Sequence, residues 1–349
     1  MEYKHYHMKD TALENILSQV AEADLAPLSD FLLSDPSEPL VAAGSGGCES
    51  VGDFLALLRG TRGGVASAVT PLTLHSLSDA ALRSGKVVLF SAGGHNADAV
   101  FAAKRCLGAN PAKTAGVFLH DGERNGAMKL FRKAGSRNGF VVPVHKSKDG
   151  FVSTGTAASY FAILTRVFQP DADILGYSDR PSNPFTFCRN DGSPMDPREL
   201  RGVRSFVILH GSWGRPVATN LEGKLVETGF SGAFLCDYRN FCHGRFIYVS
   251  NHLEDSAIVM LVSPRERYFA ERTRRFLPAS AKLIIIETPS DAPEASLDLL
   301  LRGTDFFRTL CEATGANYLS PANPGKIDKR IPISVPFKTE LEKMGPLTL

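Results

Sequence analysis

Short apolar runs that end in a cluster of glycine, serine or asparagine and pass at once into a helical pattern recur along this chain. PLVAAGSGGCES leads into VGDFLALLR, and GKVVLFSAGGHN leads into ADAVFAAKRCLG. A strand, a tight polar turn and a helix in succession bring the next strand in parallel, because the helix returns the chain to the edge of the sheet where the first strand began. The predicted fold class is therefore α/β, a parallel sheet flanked by helices, with ligand sites at the carboxyl edge of the strands. AGVFLHDG and GFVVPVHK supply further strands, and KDGFVSTGTAASYFAILTRVF adds a polar turn and a long helix. The pattern then begins again. RSFVILHG, GAFLCDY, SAIVMLVS and AKLIIIETP are four more apolar strands, with helices at VATNLEGKLVET, RERYFAERTRRFL and ASLDLLLRGTDFFRTLCEAT.

Two such sets fit a chain of 349 residues, long enough for two domains that each bury a core. The expected organisation is an N-terminal helical segment at 1–38, domains at 39–170 and 204–320, a connection at 171–203 and a C-terminal tail at 321–349. Leu13, Ile16, Leu17, Val20 and Ala21 give the leading segment its helical spacing. The connection stands out by its turn residues, with five prolines between Gln169 and Arg204, and PRELRG within it reads as a short helix.

Composition excludes several classes. A hydrophobic fraction of 43% with 22% charged residues is that of a globular protein, and a net charge of +2 gives no reason to expect a nucleic-acid partner. No apolar run approaches the length of a membrane span, and the polar start MEYKHYHMKD has no signal-peptide character. The six cysteines (48, 106, 188, 236, 242 and 311) lack paired metal-ligand spacing, so neither a metal nor a cofactor is expected. They read as reduced thiols of a cytoplasmic protein.

Three turns carry candidate ligand-binding residues: Gly44 and Ser45; Ser91, Gly93, Gly94 and Asn96; and Ser153 with Thr154. Each precedes a helix whose first N–H groups are available to an anion. Taken singly, a glycine-rich turn serves equally well as plain structure. In the second half, Lys224 and Glu227 are three apart on one helix and share a face, whereas Glu222 points elsewhere. Sixteen residues after Glu227, His243 lies in the polar segment FCHGR. The expectation is that carboxylate, amine and imidazole converge at one end of a strand.

LEGKLVETG followed by CDYRNFCHGR resembles the second sugar isomerase (SIS) domain of the isomerase half of glucosamine-6-phosphate synthase and related phosphosugar enzymes. Lys224, Glu227, His243 and Gly244 keep that family's spacing, while Asn220 stands where the family has a further Glu. Ser91 to Asp98 resembles the family's phosphate loop, Ser-x-Ser-Gly-x-Thr-x-Asp, with Gly93 and Asn96 in place of two hydroxyl residues. Phe151 to Thr154 is similar to its Val-Ala-Ser-Thr loop, and Pro324 with Lys329 matches the spacing of its closing tail. The resemblance implies two SIS-type, flavodoxin-like domains, a sugar phosphate or related anion as ligand, and a homodimer in which the His-Gly loop reaches the neighbouring subunit's site. It assigns Glu227 as the base that moves a proton between C1 and C2 through an enediol, His243 to ring opening, Lys224 to the developing oxyanion or to holding the base in place, and Lys329 to a Schiff base. No glutaminase domain precedes residue 40, so glutamine-dependent synthesis is not expected.

The resulting reading is a phosphosugar isomerase or deaminase. Its alternative is a non-catalytic sensor of the same fold that binds a sugar phosphate or nucleotide-like ligand. A hydrogen bond to a charged group contributes about 1.5–3 kcal/mol, so losing the phosphate-loop hydroxyls favours the sensor. Retention of Lys224, Glu227 and His243 favours the enzyme.

Overall fold

A computed structural model describes residues 10–122, 125–144, 154–179, 185–318 and 321. The described residues fall into two compact units: the first within 14–147 and 155–171, the second within 172–322 together with residues 10–13 and 154.

In the first unit, helices α1 (Asp10–Glu22, whose first residues group with the second unit) and α2 (Ala26–Leu33) precede strand β1 (Leu40–Gly44). There follow α3 (Glu49–Thr61), β2 (Ala66–Val69), α4 (Pro71–Ser76), α5 (Asp79–Ser84), β3 (Lys86–Phe90), α6 (Ala97–Ala109), β4 (Thr114–Phe118), α7 (Gly126–Lys133), β5 (Gly139–Val141) and α8 (Gly155–Phe168). The five strands are all parallel in the order β2-β1-β3-β4-β5, the flavodoxin order. Burial follows that order. Every residue of the inner strands β3 and β4 is buried, whereas the edge strands β2 and β5 have no buried residue. A strand covered on both faces needs a continuous apolar run, which is why the inner strands are the conspicuous ones in the sequence.

The leading helices belong to this core. Ile16, Leu17, Val20, Leu28 and Leu32 are buried, each worth about 1.5–3 kcal/mol on removal from water. Arg166 of α8 ties down the end of α1 by donating to the carbonyls of Val20 (2.6 Å) and Ala23 (3.2 Å).

The second unit opens with β6 (Phe185–Arg189), inside the stretch read from sequence as a connection. It continues with β7 (Ser205–His210), α9 (Arg215–Glu227), β8 (Gly232–Asp237), α10 (Tyr238–Asn240), α11 (Phe246–Asn251), β9 (Ser256–Val262), α12 (Arg267–Arg274), β10 (Lys282–Glu287) and α13 (Glu294–Thr314). The sheet order is β6-β10-β9-β7-β8, parallel except for β6, which pairs antiparallel with β10. Every residue of β7 and β9 is buried. PRELRG forms a single tight turn, Pro197–Leu200, capped reciprocally by Asp196 and Glu199.

Candidate functional site

In a doubly wound sheet, ligands settle where the strand order reverses, outside the carboxyl ends of the two strands that flank the reversal. In the first unit those strands are β1 and β3. The turns after them hold Gly44, Ser45, Ser91, Gly93, Gly94 and Asn96, so the sheet topology brings six of the sequence-predicted ligand residues to one edge.

Local geometry gives each a task. Gly44 makes room for the tight turn over Gly46–Cys48, since a Cβ there would lie 2.4 Å from the Cys48 carbonyl oxygen. Ser91 Oγ accepts the Gly94 N–H at 3.2 Å, and Gly94 adopts φ +58°. A side chain at Gly94 would strike Asn125 Oδ1 at 2.0 Å. Asn96 caps α6, its Oδ1 accepting the Ala99 N–H at 2.6 Å. That bond caps the helix through the amide oxygen, as a threonine hydroxyl at the same position would. The exposed ring of His95 folds back over Gly93, with its Nδ1 2.4 Å from where a Cβ would stand. Cys48 lies beneath, its thiol pushed up to about 12 by burial against a lowering backbone hydrogen bond from Ala92, and is therefore no nucleophile at neutral pH. Gly44, Ser45, Leu89, Phe90 and Ser91 line a cavity of about 10 Å³. That is room for a single water and too little for a sugar phosphate. Thr154 immediately precedes α8, while Ser153 and Lys329 lie outside the described residues.

In the second unit, α9 carries Lys224 and Glu227 in its last turn. Lys224 is buried, and its Nζ donates to Asn220 Oδ1 at 2.6 Å. Asn220 thus supplies a neutral acceptor to the lysine one turn on. Glu227 keeps an exposed side, yet the protein around it raises its carboxyl pKa by desolvation; Lys224 pulls the value down and Glu222 pushes it up. Desolvation raises Glu222 as well.

His243 occupies a kinked turn, Phe241–Arg245, in which Gly244 adopts φ +108°. Its side chain is exposed. The structure does not bring it to Lys224 and Glu227 within one chain. α9 starts at the carboxyl end of β7 and descends 13 residues, roughly 20 Å at 1.5 Å per residue, to the amino edge of the sheet. β8 then climbs back in parallel, from Gly232 beside Ser205 to Asp237 beside His210, and His243 follows its upper end. The amine and carboxylate stand at one edge of the sheet and the imidazole beyond the other, which corrects the expectation of convergence at one strand end.

Sequence reasoning passed over the residues at the second sheet's own reversal, between β7 and β9. Ser212, Ser263 and Glu266 meet there, and Gly211-Ser212-Trp213-Gly214 repeats the Gly-Ser-x-Gly of Gly44 to Gly47, the signal that would have pointed to them. Among the described residues, no group of three His, Cys, Asp or Glu is placed to hold a metal ion, and no helix is long and apolar enough to cross a membrane.

Sequence comparison with family models gives no match, and comparison with curated proteins gives none. The fold is similar along most of its length to solved structures. Tagatose-6-phosphate ketose/aldose isomerase from Escherichia coli is 17% identical, over 92% of this chain and 95% of that one, with a TM-score of 0.63. Glucosamine-6-phosphate deaminase from Thermotoga maritima is 14% identical, over 91% and 98%, with a TM-score of 0.60. The C-terminal domain of glucosamine-fructose-6-phosphate aminotransferase from Francisella tularensis is 11% identical, over 90% and 98%, with a TM-score of 0.59. At such identities the likeness is one of fold.

Proposed function

We propose that the chain is a phosphosugar isomerase or deaminase that works through an enediol, with its site completed by a second copy. The observation that carries this reading is the last turn of α9, where Glu227, raised by desolvation, stands within the field of the buried Lys224. A carboxylate shifted toward working pH is a better proton acceptor, and a nearby ammonium stabilises charge as it develops on the sugar oxygen. Glu227 takes the proton from C1 and returns it to C2 as the carbonyl moves. The turns bearing Ser45 and Ser91, at the carboxyl edge of the first unit's own sheet, are its candidate anion site. Because His243 is remote from Glu227 in its own chain, ring opening falls to His243 of the partner subunit. The residues that follow His243 support self-association there: Phe246, Ile247 and Tyr248 expose 46%, 54% and 42% of their surface.

The alternative, a sensor without turnover, is favoured by one feature, the Gly93 and Asn96 that stand in the segment 91–98 in place of hydroxyl residues. Deuterium exchange separates the two. With ketose phosphates in deuterated water, NMR should show exchange at C1, and Glu227→Gln should slow it by about 10²–10⁴-fold while leaving affinity nearly unchanged. Mixing Glu227→Gln with His243→Ala chains should restore part of the activity through heterodimers. Tight binding without exchange across the panel would establish the sensor, and no recovery on mixing would remove the shared site.

A further inference from the structure

The two units place serines at matching points. Ser45 follows Gly44 at the end of β1 and Ser91 is the first residue after β3; Ser212 follows Gly211 beyond β7 and Ser263 is the first residue after β9. Each pair flanks the reversal of its own sheet. In the first unit Ser45 and Ser91 face a small cavity that no acidic side chain lines. In the second, one group takes both serines. Glu266 Oε1 accepts the backbone N–H and the hydroxyl of Ser212, each at 3.0 Å, and Oε2 accepts the hydroxyl of Ser263. Glu266 is only 5% exposed although it is acidic. Gly211 makes space for it, since a Cβ at 211 would lie 1.9 Å from Glu266 Cγ.

We propose that the turns after β7 and β9 form an oxyanion site, and that the chain fills it with its own Glu266 carboxylate. A backbone N–H and two hydroxyls converging on two oxygens of one anion is the donor set that phosphate and carboxylate ligands use. In the second unit the ligand is supplied in cis, so soluble anions are excluded from that edge. The chain then presents one edge to an external anion and keeps the other occupied. This assignment stands apart from the isomerase reading, because it needs no substrate and no catalytic residue.

Removing the resident carboxylate should leave the donors in place and open to a soluble replacement. The test follows the thermal unfolding of wild type, Glu266→Ala and Glu266→Ala/Ser212→Ala in sodium acetate against sodium chloride of equal ionic strength. Glu266→Ala should melt lower than wild type and recover by about 3–6 °C in acetate at ten times its dissociation constant. Wild type and the double variant should show no acetate-specific rise. If Glu266→Ala does not fold on expression, refolding yield in acetate against chloride gives the same comparison. Glu266→Gln, which fills the space with a neutral amide, should show no acetate effect. An equal rise in wild type, persistence of the rise without the Ser212 hydroxyl, or no rise in Glu266→Ala would each overturn the proposal.

Discussion

His75 is 5% exposed on α4, packed against Phe101 with ring centroids 4.8 Å apart, and neither of its ring nitrogens has a hydrogen-bond partner among the described residues. Burial lowers its pKa below the ordinary 6.5, and the nearby Arg105 guanidinium lowers it further. The unfolded chain therefore binds a proton between the two pKa values while the folded chain does not. Stability from this source is whole above pH 6.5, falls as the pH drops below it, and levels off once the pH passes the folded pKa. At pH 5 the loss cannot exceed about 2 kcal/mol, the limit set by the distance from 6.5, and that limit corresponds to roughly 4–8 °C in melting temperature for a unit of this size. His75→Leu removes the titrating group and keeps an apolar side chain of similar bulk against Phe101. Urea unfolding of both proteins at half-unit steps from pH 8 to pH 5 isolates the effect as a difference, because all other carboxylates and histidines titrate in both. The wild type should lose more stability than the variant below pH 6.5, with the two curves parallel above it. Curves parallel over the whole range would refute the argument.

Two further substitutions test the turns. Asn96→Ala removes the cap of α6 and should destabilise by about 1 kcal/mol in urea unfolding, whereas a value near zero would mean that the bond to Ala99 does not form in solution. Gly211→Ala should destabilise by about 1–3 kcal/mol, and combining it with Glu266→Ala should cost less than the sum, because the obstructing side chain is then gone.

The alternation of strand and helix was legible because β3, β4, β7 and β9 are covered on both faces and must be apolar throughout. Strand β2 gave no such signal. Its Ala-Ser-Ala-Val sequence lies on a partly exposed edge, where small residues serve as well as large ones. Strand β6 was hidden by the prolines around it, although Phe185 and Phe187 stand either side of Thr186 and both pack on Phe306. Lys224 and Glu227 were readable as a pair because a single helix fixes their separation. The distance to His243 was not, because sixteen residues cover a turn and the whole of β8, and a strand carries its far end to the opposite edge of the sheet. Ser212 and Glu266 escaped for a related reason. Their meeting depends on β9 lying beside β7 across an intervening strand and three helices, and no local pattern encodes that pairing.

Position 220 shows how such a departure from a motif acquires meaning only in three dimensions. Read along the sequence, Asn220 is only a departure from the pattern that Lys224, Glu227 and His243 resemble. In the structure the same residue accepts a hydrogen bond from the buried Lys224 without adding a negative charge beside it. A carboxylate there would neutralise the ammonium in a medium that screens poorly, and so weaken its effect on other groups. An amide satisfies the N–H and leaves the positive charge to act on Glu227, whose carboxyl is held between desolvation pushing its pKa up and Lys224 pulling it down. Asn220 thus partners Lys224 without bringing a second negative charge to that face of α9.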